Sequence, residues 1–508
     1  MKKPKMHRRE WGERKAILRH AVAWLCVALA LSTASGALTA SFDRSAANAS
    51  GPDAPVAAGP VYLPLIMNQR TVRRINVPYF GADDVIAQHY AEMAIFWLGR
   101  ITPTENYADV RIGHNSGELV LQIAIFDRRL WYDTSPSPAD LTAWDSVTLY
   151  LNLAGNVGGA PATSAYRFDA QLSDWEDPRT AWQAAYRGDG AGWSALGAAF
   201  TTESAYRWED DTQGGTNNDE NNRGWVLTYR IPFASLGLPG APAQGSVWGM
   251  ALAIHDRDDG IGTPIADKTW PETADVNRSS TWGQLRFGLP GYSPPIGTPG
   301  GTVVVRHGLN GASVPDGAVG GTIDNLCNGD SYYTWNVWGN ANFAGATGFN
   351  IQNQGDIADW PCFAKYYVTF PLDAVPSGKT ILSATLTLHQ WGNSGAIGAA
   401  QRSFVQVMTL ADGWSEATLA WNSAPLAEEN VAWAWVDPVT GPLVWPGTPR
   451  AWDVSRAVAQ AHAAGKPLRL ALYSSDWAYH SGKFFTTSDT GDWNAEGRPT
   501  LRVTWGNP

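Results

Sequence analysis

Charge and cysteine are both scarce in this 508-residue chain. Asp, Glu, Lys and Arg together make up 17% of it, and there are three Cys. Low charge beside 44% hydrophobic residues excludes global disorder, which needs the reverse composition. The chain also lacks a Gly-x-Ser-x-Gly elbow, a His-Glu-x-x-His pair and a P-loop, the signatures of several enzyme classes. A glycosidase needs only two carboxylates across a cleft, so these absences leave that chemistry open. Lysine is rare beyond residue 40, where only Lys268, Lys365, Lys379, Lys466 and Lys483 occur. What is abundant is Trp, with 26 against 17 Tyr and 15 Phe, together with 52 Gly and 32 Pro. Many turn formers suit an all-β chain. Indole suits the apolar faces of sugar rings, whose hydroxyls bond at the rim.

The first 20 residues carry eight basic side chains against Glu10 and Glu13, then an apolar run from Ala21 to Leu31 and small residues to Ala40. Basic, apolar and small is the order of a secretory signal. An uncleaved anchor is the rival, because Ala21–Ala40 carries no charge and is long enough to span. Both readings place the bulk of the chain at the cell surface or outside the cell. Without residues 1–40 the chain keeps 29 basic and 45 acidic residues, a net charge of −16. That acidity argues against nucleic acid and anionic lipid as partners. Membrane insertion beyond the possible N-terminal anchor is not expected, and a monomer is. Cys26 lies in the leader, so Cys327 and Cys362 remain as a pair in an oxidising compartment, and a disulfide is predicted.

Residues 41–69 read as a linker, and a denser Pro/Gly stretch at 289–301 splits the rest into 70–288 and 302–507. Both halves alternate with period two. Leu119, Leu121, Ile123 and Ile125 share one face; Val147, Leu149 and Leu151 share another, with Thr148, Tyr150 and Asn152 opposite. In the second half Ala384, Leu386 and Leu388 alternate with Thr385, Thr387 and His389. The fold class is therefore all-β: two antiparallel β-sandwich domains joined by a Pro/Gly linker, each strand with one apolar face. One helix is predicted, with Ser455 as its N-cap and Gly465 just past its end.

The first half contains a strand ending in Asp ("LVLQIAIFD"), then "WDSV", "IPFASL", a strand ending "DRD" and a closing "GQL". In that order these segments resemble the family 9 carbohydrate-binding module. The resemblance implies a sugar clamped between two Trp: Trp144, just before the "DSV" strand, and a second for which the chain offers Trp270 and Trp282. The second half contains "KYYVTFPLDAVPSGKTILSATLTLHQWG", "DGWSEATLAWNSAP", "WDVSRAVAQAHAAGKPLRLALYS" and "GRPTLRVTW". This resembles the DNRLRE domain, grouped with family 96 carbohydrate-binding modules, and the resemblance implies a jelly-roll-like sandwich and polysaccharide binding.

Among the remaining indoles, Trp433, Trp435, Trp445 and Trp452 are candidates for stacking on sugar, because loops on a rigid sandwich are where binding concentrates. Trp414 and Trp421, which flank "SEATLA", read as core aromatics. Trp175, Trp182 and Trp193 read as packing residues that could also line a cleft. Asp256, Asp258 and Asp259 follow a strand and offer oxygen ligands on a short loop, the donor set of calcium. The resemblance to family 9 adds a structural calcium to that expectation. A second acidic loop carries Glu209, Asp210, Asp211, Asp219 and Glu220. No catalytic cofactor is expected. The expected function is non-catalytic polysaccharide binding, secreted or surface-attached. A polysaccharide hydrolase or lyase, or a structural or adhesion protein of the envelope, are the alternatives.

Overall fold

The computed structural model describes residues 72–507, apart from 159–160, 175–176, 178, 198, 210–213, 262–263, 322–326, 328, 412 and 479–480. The leader and the first linker lie outside the described residues, as do Trp175, Asp210 and Asp211. Asn68–Pro508 forms one compact unit. Among the described residues no helix is long and apolar enough to cross a membrane.

The strands stack in four layers. The first contains Gly283–Phe287, Val247–Asp256, Ser146–Asn152, Ala165–Gln171, Gln183–Gly188 and Trp193–Ala195, with Ile265–Trp270 alongside Val247–Asp256. The second contains Ala94–Thr102, Glu105–His114, Glu118–Phe126, Asn222–Pro232 and Thr201–Trp208. The third contains Asp316–Gly320, Ala364–Phe370, Leu468–Ser474, Ser403–Leu410 and Ala427–Val436. The fourth contains Thr298–Arg306, Thr500–Asn507, Thr380–Asn393, Lys483–Thr486 and Gly348–Ile351, with Thr448–Asp453 alongside Thr380–Asn393. Layers one and two form the N-terminal sandwich, and layers three and four the C-terminal one.

Pairing within the layers is antiparallel; the exception is Arg74–Val77. This short strand runs parallel to Gly283–Phe287 on one side and meets Ala427–Val436 on the other. It thereby joins layers one and three into a single 13-stranded sheet. Because that sheet bends around layer two, layer two is covered on both faces. Ala94, Phe96, Val110, Leu121 and Ile123 pack towards layer one. The alternate residues Ile95, Trp97, Tyr107, Ala124 and Phe126 pack towards Tyr367, Met408, Trp421 and Tyr473 of the second half. A third core, including Val368, Leu386, Leu472 and Val503, lies between layers three and four.

This corrects the expectation of strands with one solvated face. The strand Glu118–Phe126 is buried at every position after the first, as a sheet covered on both sides must be. The polar residues of layer two that face layer three are buried too and have specific partners. Tyr107 donates to Asp109 Oδ1 (2.6 Å) and Tyr473 to Asp109 Oδ2 (2.7 Å). Asn353 Nδ2 donates to Asp109 Oδ2 (3.2 Å), and Arg111 donates to Asn353 Oδ1 (2.7 Å) and to the Ser475 carbonyl (3.1 Å). Lys365 reaches across from layer three and donates to the Tyr107 hydroxyl. Its ammonium lies 3.7 Å from the Trp421 ring centroid, 4.1 Å from Trp97, 4.6 Å from Tyr107 and 4.9 Å from Tyr473. Burial pushes this lysine well below its ordinary pKa, and the Asp109 charge opposes that shift. The ring faces also favour the charged form. Asn422 completes the seam by accepting from Ile101 N–H (2.8 Å) and donating to the Ile101 carbonyl (2.9 Å), as a neighbouring strand would.

Two smaller expectations change as well. The strand Thr298–Arg306 begins inside the Pro/Gly stretch and pairs with Thr500–Asn507, so the end of the expected linker is part of layer four. The predicted helix is present as Ser455–Ala463, but Ser455 is its first residue rather than its cap. Its amide is taken up by Asp453 Oδ1 (2.9 Å), and Gly465 follows the helix with φ +62°. The Cys327–Cys362 disulfide is present.

The seam between layers two and three yields a prediction. Asp109→Ala removes the acceptor shared by Tyr107, Tyr473 and Asn353 and strands the buried Lys365. Removing one partner of such a buried group costs about 3–5 kcal/mol. Denaturant unfolding of the variant should show that loss, and a change below about 1 kcal/mol, typical of an exposed site, contradicts the assignment.

Candidate functional site

The outer face of layer one carries a polar and aromatic floor. Period-two alternation sends Val147, Leu149 and Leu151 inward and Thr148 and Tyr150 outward. Register places Ala251, Tyr150, Arg167 and Tyr186 side by side across four strands. The next row holds Ala253, Thr148 and Asp169. The alanines lower the floor, while Trp193 and Trp282 stand beside Tyr150 with ring centroids 5.8 and 5.5 Å away.

Hydrogen bonds fix the polar groups. Thr148 donates to Asp169 Oδ1 (2.8 Å) and its oxygen lies 2.9 Å from His255 Nε2. His255 Nδ1 lies 2.9 Å from Asp267 Oδ1. Arg167 forms a salt bridge with Asp169 (2.8 Å) and stacks over Tyr186, 5.1 Å from the ring centre. Burial pushes the Tyr150 phenol up to about 12, so it remains a neutral hydrogen-bonding group at ordinary pH. Thr148, Asp169, Tyr150, Ala251 and Ala253 are buried, with Ala274 and Val276 packed over part of them. The half-buried Arg167, Tyr186 and Trp193 are the groups that reach the surface, a cation and two aromatic rings of the kind a polyhydroxylated ring requires.

At one end of the same sandwich, three strand ends converge. Asp127 follows Glu118–Phe126 of layer two, Asp145 precedes Ser146–Asn152, and Asp256 ends Val247–Asp256. Their carboxylates are buried, with one oxygen of each within 4.8 Å of the others. Asp127 accepts from Arg129 N–H (2.9 Å), and Asp145 from Trp131 N–H (2.7 Å) and Arg257 N–H (2.9 Å). Asp256 Oδ1 has no protein partner. Burial, and then the neighbouring carboxylates, push Asp127 and Asp145 well above the ordinary range. The same causes push Asp256 up to about 8. Three buried carboxylates with an unused oxygen fit a hard cation, which takes oxygen donors and supplies the missing positive charge.

The predicted residues divide sharply. Of the expected metal loop, only Asp256 belongs to the triad. Asp258 is half-buried and faces Arg129 and Arg128, and Asp259 accepts the Ile261 amide (3.0 Å). Asp127 and Asp145 were not expected as ligands, although both stand in the motifs quoted above, at the end of "AIFD" and in "WDSV". In the second acidic loop, Glu220 accepts the Gly214 amide (3.2 Å).

Trp144 is half-buried, with the Arg257 guanidinium stacked 4.4 Å from its ring centre. Trp270 is 1% exposed and packs on Phe96 in the core, so it cannot be a clamp residue. Trp282 is 2% exposed with its Nε1–H held by the Asp275 carbonyl (3.0 Å); it walls the floor but offers no free face. Trp452 is 1% exposed and donates to the Val405 carbonyl (3.1 Å), a core residue between layers three and four. Trp433 is half-buried. Trp435 is held by Glu92 (3.0 Å) and covered by Arg402, 3.6 Å from its ring centre. Trp414 and Trp421 pack in the seam between the halves, and Trp182 is buried, bonded to the Asp133 carbonyl. Trp445 is 44% exposed and meets Trp493, 68% exposed, edge to face at 4.9 Å. Trp493 was not anticipated, and neither were Arg167, Asp169 and His255.

Stacked antiparallel sheets with apolar cores between them define a fold class, the β-sandwiches. Within the chain, residues 326–495 match the model of carbohydrate-binding module family 96. Solved structures similar to the N-terminal part include a family 9 carbohydrate-binding module from Caldicellulosiruptor kristjanssonii in complex with cellotriose. It is 14% identical with a TM-score of 0.30, covering 44% of this chain and 100% of that one. A second structure of a family 9 module from the same organism, in complex with glucose, is 15% identical with a TM-score of 0.30 and the same coverage. A search of curated proteins gave no match.

Proposed function

We propose that the protein is a non-catalytic polysaccharide-binding protein acting outside the cytoplasm. The observation that carries this reading is the outer face of layer one. There Arg167, Tyr186 and Trp193 stand half-buried at the surface, over the buried Tyr150 and Asp169. Indole takes the apolar face of a pyranose, and a guanidinium, here oriented by the buried Asp169, donates to its hydroxyls. The family 96 match in the second half supports a carbohydrate ligand, and the disulfide suits an oxidising compartment. Trp193→Ala and Arg167→Ala should each weaken binding at least about tenfold, or about 1.4 kcal/mol. Titration calorimetry against a panel of soluble glucans, xylan and mannan measures this. Unchanged affinity in both variants contradicts the site. New reducing ends or unsaturated products in the same mixtures would favour the hydrolase or lyase reading instead.

A structural calcium ion at Asp127, Asp145 and Asp256 belongs to the same reading. When bound it neutralises the buried carboxylates. Asp145 adjoins Trp144 and Asp256 adjoins Arg257, so the triad holds the backbone that carries the Trp144–Arg257 stack. Calcium at about 100 times its Kd stabilises by about 2.7 kcal/mol. Chelation should therefore lower the wild-type Tm by a few degrees, and Asp145→Asn should abolish the response. A wild-type Tm indifferent to both chelator and added calcium contradicts the ion.

A further inference from the structure

We propose that the protein cross-links separate polysaccharide chains, holding one on each of its two outermost faces. This rests on the binding reading above and adds a second site with a fixed relation to the first. The second site is the corner of layer four carrying Trp445 and Trp493. Along Thr380–Asn393, Ala384, Leu386 and Leu388 point into the core, so Thr385, Thr387 and His389 face outward. The turn Asp492–Gly497, which carries Trp493, leads into Thr500–Asn507, whose Thr500 pairs with Thr387, and this places that turn at the same sheet. On the other side, a Cβ built on Gly447 would lie 3.4 Å from His389 Cβ, which places the turn carrying Trp445 there as well. The two exposed indoles thus meet beside His389 on the outward side of the layer. Both indoles are exposed, and together they present aromatic surface at a polar sheet, a platform for a sugar ring.

The layer order then decides what two sites can do. The surface carrying Trp193 and Arg167 faces outward from layer one, and the Trp445–Trp493 corner faces outward from layer four. Layers two and three lie between them. Packed sheets stand about 10 Å apart, so three spacings separate the faces by about 30 Å. The faces look away from one another, and the buried seam between layers two and three keeps the sandwiches from rotating to share a ligand. One extended chain would have to double back around the stack to reach both sites. Two chains can each lie on one face. Multivalency acts on a single ligand only when geometry allows simultaneous engagement; here it allows that between ligands.

The test uses the exported protein with beads coated separately with β-glucan, xylan and mannan, reading bead retention of protein and bead clumping in parallel. Wild type should be retained on at least one coating and clump those beads. Trp193→Ala, and separately Trp445→Ala with Trp493→Ala, should each still be retained through the remaining face while clumping falls about tenfold or more. A mixture of the two variants should not restore clumping. Retention without clumping overturns the cross-linking proposal and leaves the binding reading intact. Clumping that survives both sets of substitutions also overturns it. Retention on none of the three coatings counts against the binding reading itself.

Discussion

Everything outward-facing in this protein depends on one inward contact, the seam where layer two meets layer three. There a carboxylate, Asp109, gathers two tyrosine hydroxyls and an asparagine, and a lysine from the other half sits among four aromatic rings. Buried charge of this kind is expensive unless its geometry is met in full. The groups that satisfy Asp109 come from both halves, Tyr107 from the first and Tyr473 and Asn353 from the second. The N-terminal sandwich alone would expose Trp97 and Phe126 along with this carboxylate. The C-terminal one alone would expose Lys365, Tyr367 and Trp421. Neither surface is one that water tolerates well, so the halves are completed by each other.

The sequence was legible where its signal was local. Period-two alternation identified strands such as Thr380–Asn393, because it has one face in a core and one outside. It misled for Glu118–Phe126. The alternation of Leu119, Leu121 and Ile123 with Val120, Gln122 and Ala124 is real, but both sets are buried, and nothing within the strand says what covers its second face. The clues were Asp109, Arg111 and Gln122 themselves. A polar residue in a strand reads as solvent-facing until its partner is known, and the partners here lie more than 240 residues away. The four-residue strand Arg74–Val77, which joins layers one and three, is too short to show any period.

Tryptophan shows the same division. Its excess follows from the architecture, since three successive cores, the middle one the seam, need large side chains, and Trp97, Trp225, Trp270, Trp338, Trp360 and Trp452 are fully buried there. A Trp in a turn-rich stretch and a Trp in a core look alike in sequence, which is why Trp445 and Trp452 were grouped although one is a surface residue and the other a core residue. The carboxylate triad was closer to hand. Its three members each end or begin a strand in a recognised segment. Convergence in space, rather than proximity in sequence, separates Asp127 and Asp145 from Asp258 and Asp259.

The central claim is that two modules which read as separate domains are one rigid body, and that the outward placement of their binding faces follows from this. Scanning calorimetry of the protein tests it most directly. If the seam couples the halves, heat absorption shows one transition in which both sandwiches melt together. Two separable transitions, each carrying the enthalpy of one sandwich, would contradict the claim.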